Sequence, residues 1–316
     1  MNVIKIRWIL AVPSFFLAVI VLAYVQLWIE NYLFSHGLGR HSKSHHAELE
    51  PDAPLIHPEH LNKEPMVVEE YAMIAGFDIF YRAVIPNKEE NSESEADNSV
   101  FKKSKAETLK TLLNFPRVVL LLHGLKFTSQ TWIDIGTLHD IAQKTGVPAV
   151  AIDLPGYGKS RTVGKLSSPK STELTIQQIN DFMMQIPIVL GFPNSKIILL
   201  APSMAGMYAF PWLINSPKEN FEGFIAIAPI GIEEHRRELK KIEVPTLILY
   251  GDQDDIGRTT AKILKRNLRD FREITIPNGS HACYLDDSIM FNYEIANFVE
   301  YLIMKARQIY HMKLHH

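Results

Sequence analysis

The chain has 316 residues, of which 47% are hydrophobic and 22% are charged, with a formal net charge of −2. These values are typical of an ordinary globular enzyme and argue against nucleic acid as a partner, because phosphate binding needs a surplus of Lys and Arg. The single cysteine, Cys283, excludes an intrachain disulfide and a multi-cysteine metal site, and its thiol is expected to be a buried apolar filler. No zinc-ligand spacing and no phosphate-binding glycine loop is apparent, so we expect neither a metal nor a cofactor.

An apolar run at residues 8–29 predicts a transmembrane helix. At a rise of about 1.5 Å per residue, a helix of this length spans a hydrocarbon core of roughly 30 Å. The alternative is a cleaved signal peptide, but its apolar core is shorter and no clear small-residue cleavage site follows here. Because Lys5 and Arg7 precede the run, the positive-inside rule places residues 1–7 in the cytoplasm. We therefore expect a single-pass type II membrane protein whose main domain is lumenal or extracellular.

Two polar segments are predicted to be flexible. Residues 30–65 are rich in His, Pro, Glu and Ser without a period, which is typical of a tether. A metal site is the alternative for its six histidines, although no paired or helical spacing organises them: His36, His41, His45, His46, His57 and His60. Residues 87–105 are first acidic and then basic, and they cannot bury apolar surface. They predict a disordered insertion within a single domain at residues 66–316.

Short apolar strands alternate with helices along residues 66–316. Two strands of alternating polarity, at 66–74 and 77–85, predict a hairpin at the start of the domain. Further predicted strands lie at 116–122, 147–152, 197–200, 224–228, 246–250 and 273–276. Predicted helices lie at 130–144, 259–268 and 288–304. Two more are predicted, one before and one after the 197–200 strand. This alternation predicts an α/β fold, in which helices cover both faces of a mainly parallel sheet.

The turn at residues 201–206 has the setting of a nucleophile elbow, because it follows a buried strand and opens a helix. The nucleophile of such a turn adopts a positive φ, and the strand and the helix approach each other closely beside it. The residues two before and two after the nucleophile must therefore be small. Ala201 and Ala205 satisfy this rule, although glycine is commoner at both places. Ser203 is thus a candidate nucleophile, and the alternative is a serine that only caps a helix.

An acid and a histidine follow Ser203 in the chain order that an elbow nucleophile requires. The loop after the 246–250 strand offers three carboxylates, Asp252, Asp254 and Asp255, and the next strand is followed by His281. Asp254 is favoured, because the third residue after the glycine that ends the strand usually faces the imidazole in this fold, whereas Asp252 is better placed to cap the loop. All these groups lie at carboxyl ends of strands, where open α/β sheets place their sites.

The loop after the 116–122 strand is expected to help form an oxyanion hole. One backbone N–H would come from Leu125, with Lys126 as the alternative, and the other from Met204, the residue after the nucleophile. Two fixed donors of this kind lower the barrier of acyl transfer by about 3–4 kcal/mol each. His123 precedes the glycine of the loop, and this place favours a bracing role over a catalytic one.

These motifs resemble the α/β-hydrolase superfamily and, within it, the abhydrolase-domain protein 14 family. The likeness covers about residues 66–306 and rests on the stretches at 121–124, 131–132, 136–139, 151–156, 202–203, 206–208, 250–254 and 279–286. The family is similar in placing a small residue and a proline before the elbow serine. The N-terminal run resembles the membrane-anchored A-type branch. The resemblance implies a serine hydrolase of short acyl esters, and the soluble branch is associated with lysine deacetylation by acyl transfer to coenzyme A.

We therefore expect a membrane-anchored serine hydrolase, a short-acyl esterase that works through Ser203, His281 and Asp254 and an acyl-enzyme. Residues 229–243 are too few for a large lid domain, so the site should be open and accept a small acyl substrate. One alternative is an acyltransferase or protein deacylase of the same fold, with coenzyme A as the acyl acceptor. Another is a binding module that has kept the fold and lost the activity.

Overall fold

The computed structural model describes residues 64–87, 112–162 and 174–314. The predicted N-terminus at 1–7 and anchor at 8–29 lie outside the described residues, as do almost all of the tether at 30–65 and of the insertion at 87–105. Within the described ranges, no helix is both long enough and apolar enough to cross a membrane.

One sheet organises the described residues. Its strands are β1 Met66–Ile74, β2 Phe77–Ile85, β3 Arg117–Leu121, β4 Ala149–Ile152, β5 Arg161–Thr162, β6 Lys196–Pro202, β7 Phe221–Ile227, β8 Thr246–Gly251 and β9 Phe271–Ile276. They form a nine-stranded sheet in the order β1-β2-β4-β3-β6-β7-β8-β9, with β5 paired to β2. The β1–β2 hairpin is antiparallel, as is the pairing of β2 with β4, and all neighbours from β4 to β9 are parallel. The predicted mainly parallel sheet is confirmed.

Helices cover both faces of this sheet. They are α1 Gln130–Asp134, α2 Thr137–Thr145, α3 Ile176–Val189, α4 Gly206–Asn215, α5 Ile232–His235, α6 Asp255–Asn267, α7 Cys283–Asp286 and α8 Ser288–Leu314. In the central strand β6, Leu199 packs into an apolar cluster with α3, α4 and α6, whereas Leu200 packs into a second cluster with α2 and α8. Because successive side chains of a strand point to opposite faces, a continuous apolar run is buried only when both faces are covered.

The prediction of one helix at 130–144 is wrong, because the chain breaks between α1 and α2. Gly136 has a φ of 78°, a left-handed conformation that glycine adopts without steric cost. Its N–H donates to the Ile133 carbonyl over 3.0 Å and closes the end of α1. Asn292 of α8 then supports the break, since its Nδ2 donates to the Ile135 carbonyl and its Oδ1 accepts from the Thr137 hydroxyl, each over 2.6 Å.

The connection from β7 to β8 is short, as predicted. Residues 229–243 hold only α5 and a 3-10 turn at Leu239–Lys241. The carboxyl ends of the parallel strands β3, β6, β8 and β9 therefore meet at one edge of the sheet without a lid domain inserted between β7 and β8. Each of these four ends leads into a segment that carries a predicted site residue.

Candidate active site

Ser203 directly follows β6 and begins a 3-10 turn that leads into α4, and its φ is 48°. Ala201 and Ala205 are both fully buried, which agrees with the need for small residues around an elbow. The tightest approach, however, is at Gly206, where an added Cβ would lie 2.2 Å from the Ile230 carbonyl oxygen. The Ile230 N–H in turn donates to the Ser203 carbonyl over 2.9 Å. Close backbone packing against the loop after β7 therefore holds the serine in its left-handed conformation.

The three predicted side chains of serine, histidine and aspartate meet at this edge of the sheet. His281 Nδ1 lies 2.7 Å from Asp254 Oδ2, and His281 Nε2 lies 2.8 Å from Ser203 Oγ. A carboxylate only accepts hydrogen bonds, so Nδ1 carries the proton and Nε2 accepts from the serine hydroxyl. The Asp254 side chain is 3% exposed and that of His281 is 40% exposed, so only the imidazole end of this pair faces solvent.

The surroundings of Asp254 keep its carboxylate ionised. Burial by itself raises the pKa of this carboxyl, but the hydrogen bond and charge of His281 and the N–H groups of Gly257 and Ile256 outweigh burial, so the pKa lies below its ordinary value. Asp254 is also the N-cap of α6, and its Oδ1 accepts from the Ile256 N–H over 3.0 Å. A negative charge is favoured at a helix N-terminus. This cap explains why α6 begins earlier than the predicted 259–268 helix.

The other two carboxylates of the loop are engaged elsewhere. Asp252 Oδ1 accepts from Gln253 Nε2 over 2.8 Å, and Asp255, whose side chain is 91% exposed, pairs with Arg258 over 3.1 Å. Neither is hydrogen-bonded to His281, so the structure selects one acid from the three that the sequence offered. In the described part of the chain, no group of three His, Cys, Asp or Glu side chains is arranged to hold a metal ion.

Backbone contacts fix the spacing between the acid and the imidazole. The Asp252 N–H donates to the Ile276 carbonyl over 3.0 Å, and the Gln253 N–H donates to the Gly279 carbonyl over 2.9 Å. An added Cβ at Gly251 would lie 2.1 Å from the Gly279 carbonyl oxygen, so the two loops touch through their main chains. The loops after β8 and β9 therefore behave as one unit. The sequence analysis did not identify Gly251 or Gly279 as the residues that allow this contact.

The histidine loop is also held from its far side. The backbone N–H and the hydroxyl of Ser280 both donate to Asp286 Oδ2, over 2.6 Å and 2.7 Å. Cys283 between them is fully buried, and burial, with the nearby charges of Asp286 and Asp254, raises the pKa of its thiol to about 12. Because the thiolate is the reactive form of cysteine, this thiol is inert and fills space, as predicted.

His123 braces the loop after β3. Its Nε2 accepts from the Leu154 N–H over 2.9 Å, which leaves Nδ1 protonated to donate to the Gly124 carbonyl over 2.8 Å. The ring is fully buried, and burial is the main reason that its pKa lies below the ordinary value for histidine. A neutral imidazole with both nitrogens used has no proton to exchange with a ligand. The bracing role was predicted, and the contact with Leu154 supplies its physical basis.

The two predicted oxyanion donors lie in different segments, Leu125 in the loop after β3 and Met204 in the elbow turn directly after Ser203. Leu125 follows β3 in an exposed turn that the Phe127 N–H closes on the Gly124 carbonyl over 3.1 Å. Among residues 64–87, 112–162 and 174–314, none accepts a hydrogen bond from the Leu125 N–H. Met204 is the second residue of the 3-10 turn, where N–H groups lack a carbonyl partner within the helix. Both N–H groups are therefore available to a ligand.

Asp153 anchors the loop that carries Leu125, and sequence reasoning missed this role. Its carboxylate is 1% exposed and accepts from the Ser129 N–H and hydroxyl and from the Lys159 N–H, over 2.7, 2.6 and 2.7 Å. Arg82 of β2 donates to the same Ser129 hydroxyl. The sequence feature that could have revealed this role is an acidic residue directly after a buried strand, at the start of a glycine-rich turn.

Comparison with known proteins identifies the family. Residues 115–235 match the family model described as serine aminopeptidase, S33. "Putative protein-lysine deacylase ABHD14B" of Rattus norvegicus is 34% identical over 185 residues, which cover 58% of this chain and 83% of that protein. Protein ABHD14A of the same organism is 34% identical over 187 residues, which cover 58% of this chain and 72% of that protein. The chain belongs to the ABHD14 family of α/β-hydrolases.

Solved structures agree with this assignment at the level of the fold. A predicted CIB-like hydrolase from Thermoplasma acidophilum superposes with a TM-score of 0.59 at 20% identity, covering 75% of this chain and 99% of that one. An esterase from Exiguobacterium antarcticum superposes with a TM-score of 0.55 at 14% identity, covering 74% of this chain and all of that one. The chain is thus a hydrolase with the α/β-hydrolase fold, and the resemblance seen in its motifs is confirmed.

We predict that Gly257→Ala weakens hydrolysis by displacing the Asp254 carboxylate. An added Cβ at Gly257 would lie 2.6 Å from Asp254 Oδ2, closer than real atoms approach. A misplacement of about 1 Å at a catalytic group costs up to about 10²-fold in rate. The kcat for a p-nitrophenyl acetate probe should therefore fall, whereas Lys262→Ala, an exposed position of the same helix, should leave kcat unchanged. A wild-type kcat in the Gly257 variant would show that Asp254 does not need this position.

Proposed function

We propose that the chain is a serine esterase of short acyl chains. Ser203 Oγ attacks the acyl carbonyl carbon while His281 Nε2 takes the hydroxyl proton, and the imidazolium returns this proton to the departing alcohol. Water then attacks the acyl-enzyme with His281 as the base, which releases the acid and regenerates Ser203. The observation that carries the proposal is the unbroken hydrogen-bonded chain from the buried Asp254 carboxylate to a hydroxyl on a positive-φ turn.

The backbone N–H groups of Leu125 and Met204 would stabilise the oxyanion of each tetrahedral intermediate. Support comes from the sequence position of Met204 directly after Ser203 and from the closeness of Gly124, which precedes Leu125, to the Ser203 side chain. Asp153 and His123 both brace the loop that carries Leu125. Fixed donors need no reorganisation when the charge develops, which is why they lower the barrier more than mobile side chains do.

An apolar groove next to the elbow is the proposed site of the acyl chain. It adjoins the elbow through Ile230, whose N–H donates to the Ser203 carbonyl, and its volume of about 470 Å³ is at the lower end of the usual range for ligand pockets. Its lining includes Ile230, Ile232, Ile256 and Ile263, so the acyl chain would meet apolar side chains. The short connection between β7 and β8 leaves this groove open.

We predict that Ser203→Ala abolishes labelling by a fluorophosphonate probe and turnover of short esters, because no other hydroxyl is hydrogen-bonded to His281 in the described part of the chain. Asp254→Asn should reduce kcat by up to about 10⁴-fold, since the imidazole then loses the partner that fixes its tautomer. Asp252→Asn is the matched control and should retain activity, because its carboxylate contacts Gln253. Labelling that survives in Ser203→Ala would refute Ser203 as the nucleophile. A wild-type protein with neither labelling nor turnover would favour an inactive binding module.

Protein-lysine deacylation is the second candidate, and two observations favour it. The rat and human ABHD14B relatives carry that activity in their names. The groove also has an acidic rim of Glu233, Glu234 and Asp255. Glu233 pairs with Arg236 and Asp255 with Arg258, whereas Glu234 has no ion pair with any described residue. An acyl-lysine substrate in a basic peptide would find apolar walls and a negative rim here, and coenzyme A would take the acyl group from Ser203 in place of water.

Substrate comparison separates the two candidates. For an esterase, we predict that kcat/KM is highest for short acyl esters, and a rate that rises beyond about eight carbons would contradict a pocket of this size.

For a deacylase, an acetyl-lysine peptide should be turned over and a thiol acceptor should accelerate the reaction. Glu234→Gln should then raise the KM of a basic peptide without changing the KM of a neutral ester. Glu219→Gln, an exposed change away from the groove, is the control.

We further propose that residues 8–29 anchor the protein as a single-pass type II membrane protein. The support is the apolar length of the run and the basic flank at residues 1–7. Residues 30–65 would then tether a catalytic domain that is lumenal or extracellular.

Protease protection tests this placement. In sealed membranes, a tag at the C-terminus should resist protease until detergent is added, and alkaline carbonate should leave the protein in the membrane pellet. A variant without residues 1–29 should move to the soluble fraction in the same extraction. Digestion of the tag from the cytoplasmic side would contradict the orientation, and release of the full chain by carbonate would contradict the anchor.

A further inference from the structure

Tyr284 lies three positions after His281 in the chain, and its aromatic ring is held rigidly. Its ring lies 5.6 Å from that of Phe127, 5.1 Å from Trp132 and 5.8 Å from Phe291, measured between centroids. The residue is 2% exposed. Because three aromatic neighbours fix its ring, the position of its hydroxyl is determined by the fold and not by a flexible side chain.

The Tyr284 hydroxyl has no hydrogen-bond partner among the described residues. A buried tyrosine normally finds a partner for its O–H, so an unpaired one requires an explanation. The fully buried unpaired side-chain atoms of the described residues are the Tyr81 hydroxyl and Asn180 Oδ1. Tyr284 is not one of them, so the small exposed part of this side chain includes its oxygen. The hydroxyl thus faces an opening, with its hydrogen-bonding capacity unused.

That opening is at the candidate active site. A Cβ added at Gly124 would lie 3.6 Å from the Tyr284 hydroxyl oxygen and 3.7 Å from Ser203 Cβ. Gly124 directly precedes Leu125, the proposed donor of the oxyanion hole. The hydroxyl therefore borders the same small space as the nucleophile and lies on the side of the loop after β3.

We propose that the Tyr284 hydroxyl donates a hydrogen bond to the acyl carbonyl oxygen as this atom gains negative charge after attack by Ser203. It would act as a third donor beside the Leu125 and Met204 N–H groups, and its O–H bond is not broken during the reaction. The inference rests on the proposed acyl-enzyme chemistry and adds a catalytic residue to it. Substrate supplies the partner that the hydroxyl lacks in the free protein.

The protonation state suits a donor. Burial, with a smaller contribution from Cys283, raises the pKa of Tyr284 above its ordinary value, so the phenol stays neutral and protonated wherever the enzyme is stable. Because Tyr284 is almost entirely buried, water competes less with this donor for the developing charge than it would in bulk solvent.

Tyr284→Phe tests the proposal, since it removes only the oxygen and retains the three ring contacts. The matched control is Tyr81→Phe, which removes a hydroxyl that is also unpaired but is closed off from any ligand. Each variant is compared with the wild type for kcat and KM of a p-nitrophenyl acetate probe, with active sites titrated by a fluorophosphonate. The inhibition constant of a trifluoromethyl ketone is measured in parallel. Its adduct with Ser203 bears an oxyanion and so mimics the tetrahedral intermediate of ester hydrolysis.

We expect Tyr284→Phe to lower kcat by about 10²-fold, as other single oxyanion donors do, with little change in KM. The ketone should bind more weakly by a similar factor, and the midpoint of thermal unfolding should stay near that of the wild type. Tyr81→Phe should leave all three kinetic values unchanged. Three results would overturn the role of Tyr284 and leave the Ser203 assignment intact. They are a wild-type kcat in Tyr284→Phe, a loss of kcat in that variant without a loss of ketone affinity, and an equal loss of kcat in Tyr81→Phe. Absence of any Ser203-dependent turnover in the wild type would overturn both.

Discussion

The hydrogen bond between the buried Asp254 carboxylate and His281 is the interaction on which the rest of the site depends. An ionised carboxylate that is only 3% exposed is costly unless several donors compensate for lost water. The imidazole N–H and the first turn of α6 supply those donors, and Gly257 leaves room for them. The same contacts that keep the charge stable also set the orientation of His281, so stability and reactivity have one physical origin here.

The sheet converts this local arrangement into a fixed geometry. The serine, the acid and the histidine follow three different strands, and the register of parallel strands brings their carboxyl ends to one edge. Main-chain contact between Gly251 and Gly279 joins two of the loops, while Gly206 allows the elbow to pack against the loop after β7. The reacting atoms are therefore held by backbone, and side-chain mobility contributes little to their spacing.

The sequence predicted much of this arrangement because its signals are local. Small residues around Ser203 are a weak signal by themselves, but an acid and a histidine follow Ser203 in the chain order that the fold requires, each in the loop after a predicted strand. The break at Gly136 was missed, since a glycine within a helical pattern is also tolerated inside a helix. The roles of Gly257 and Tyr284 were missed because they depend on contacts between segments distant in the chain, for which a single sequence has no signal.

Trapping of the acyl-enzyme tests the central claim most directly. The wild-type protein, mixed with an excess of an acetyl ester and quenched in acid within the first turnover, should gain the mass of one acetyl group on the peptide that contains Ser203. Asp254→Asn should accumulate the same adduct far more slowly, because the histidine has lost its fixed orientation. An acetyl group found on another residue, or turnover of the ester without any adduct on Ser203, would contradict the account.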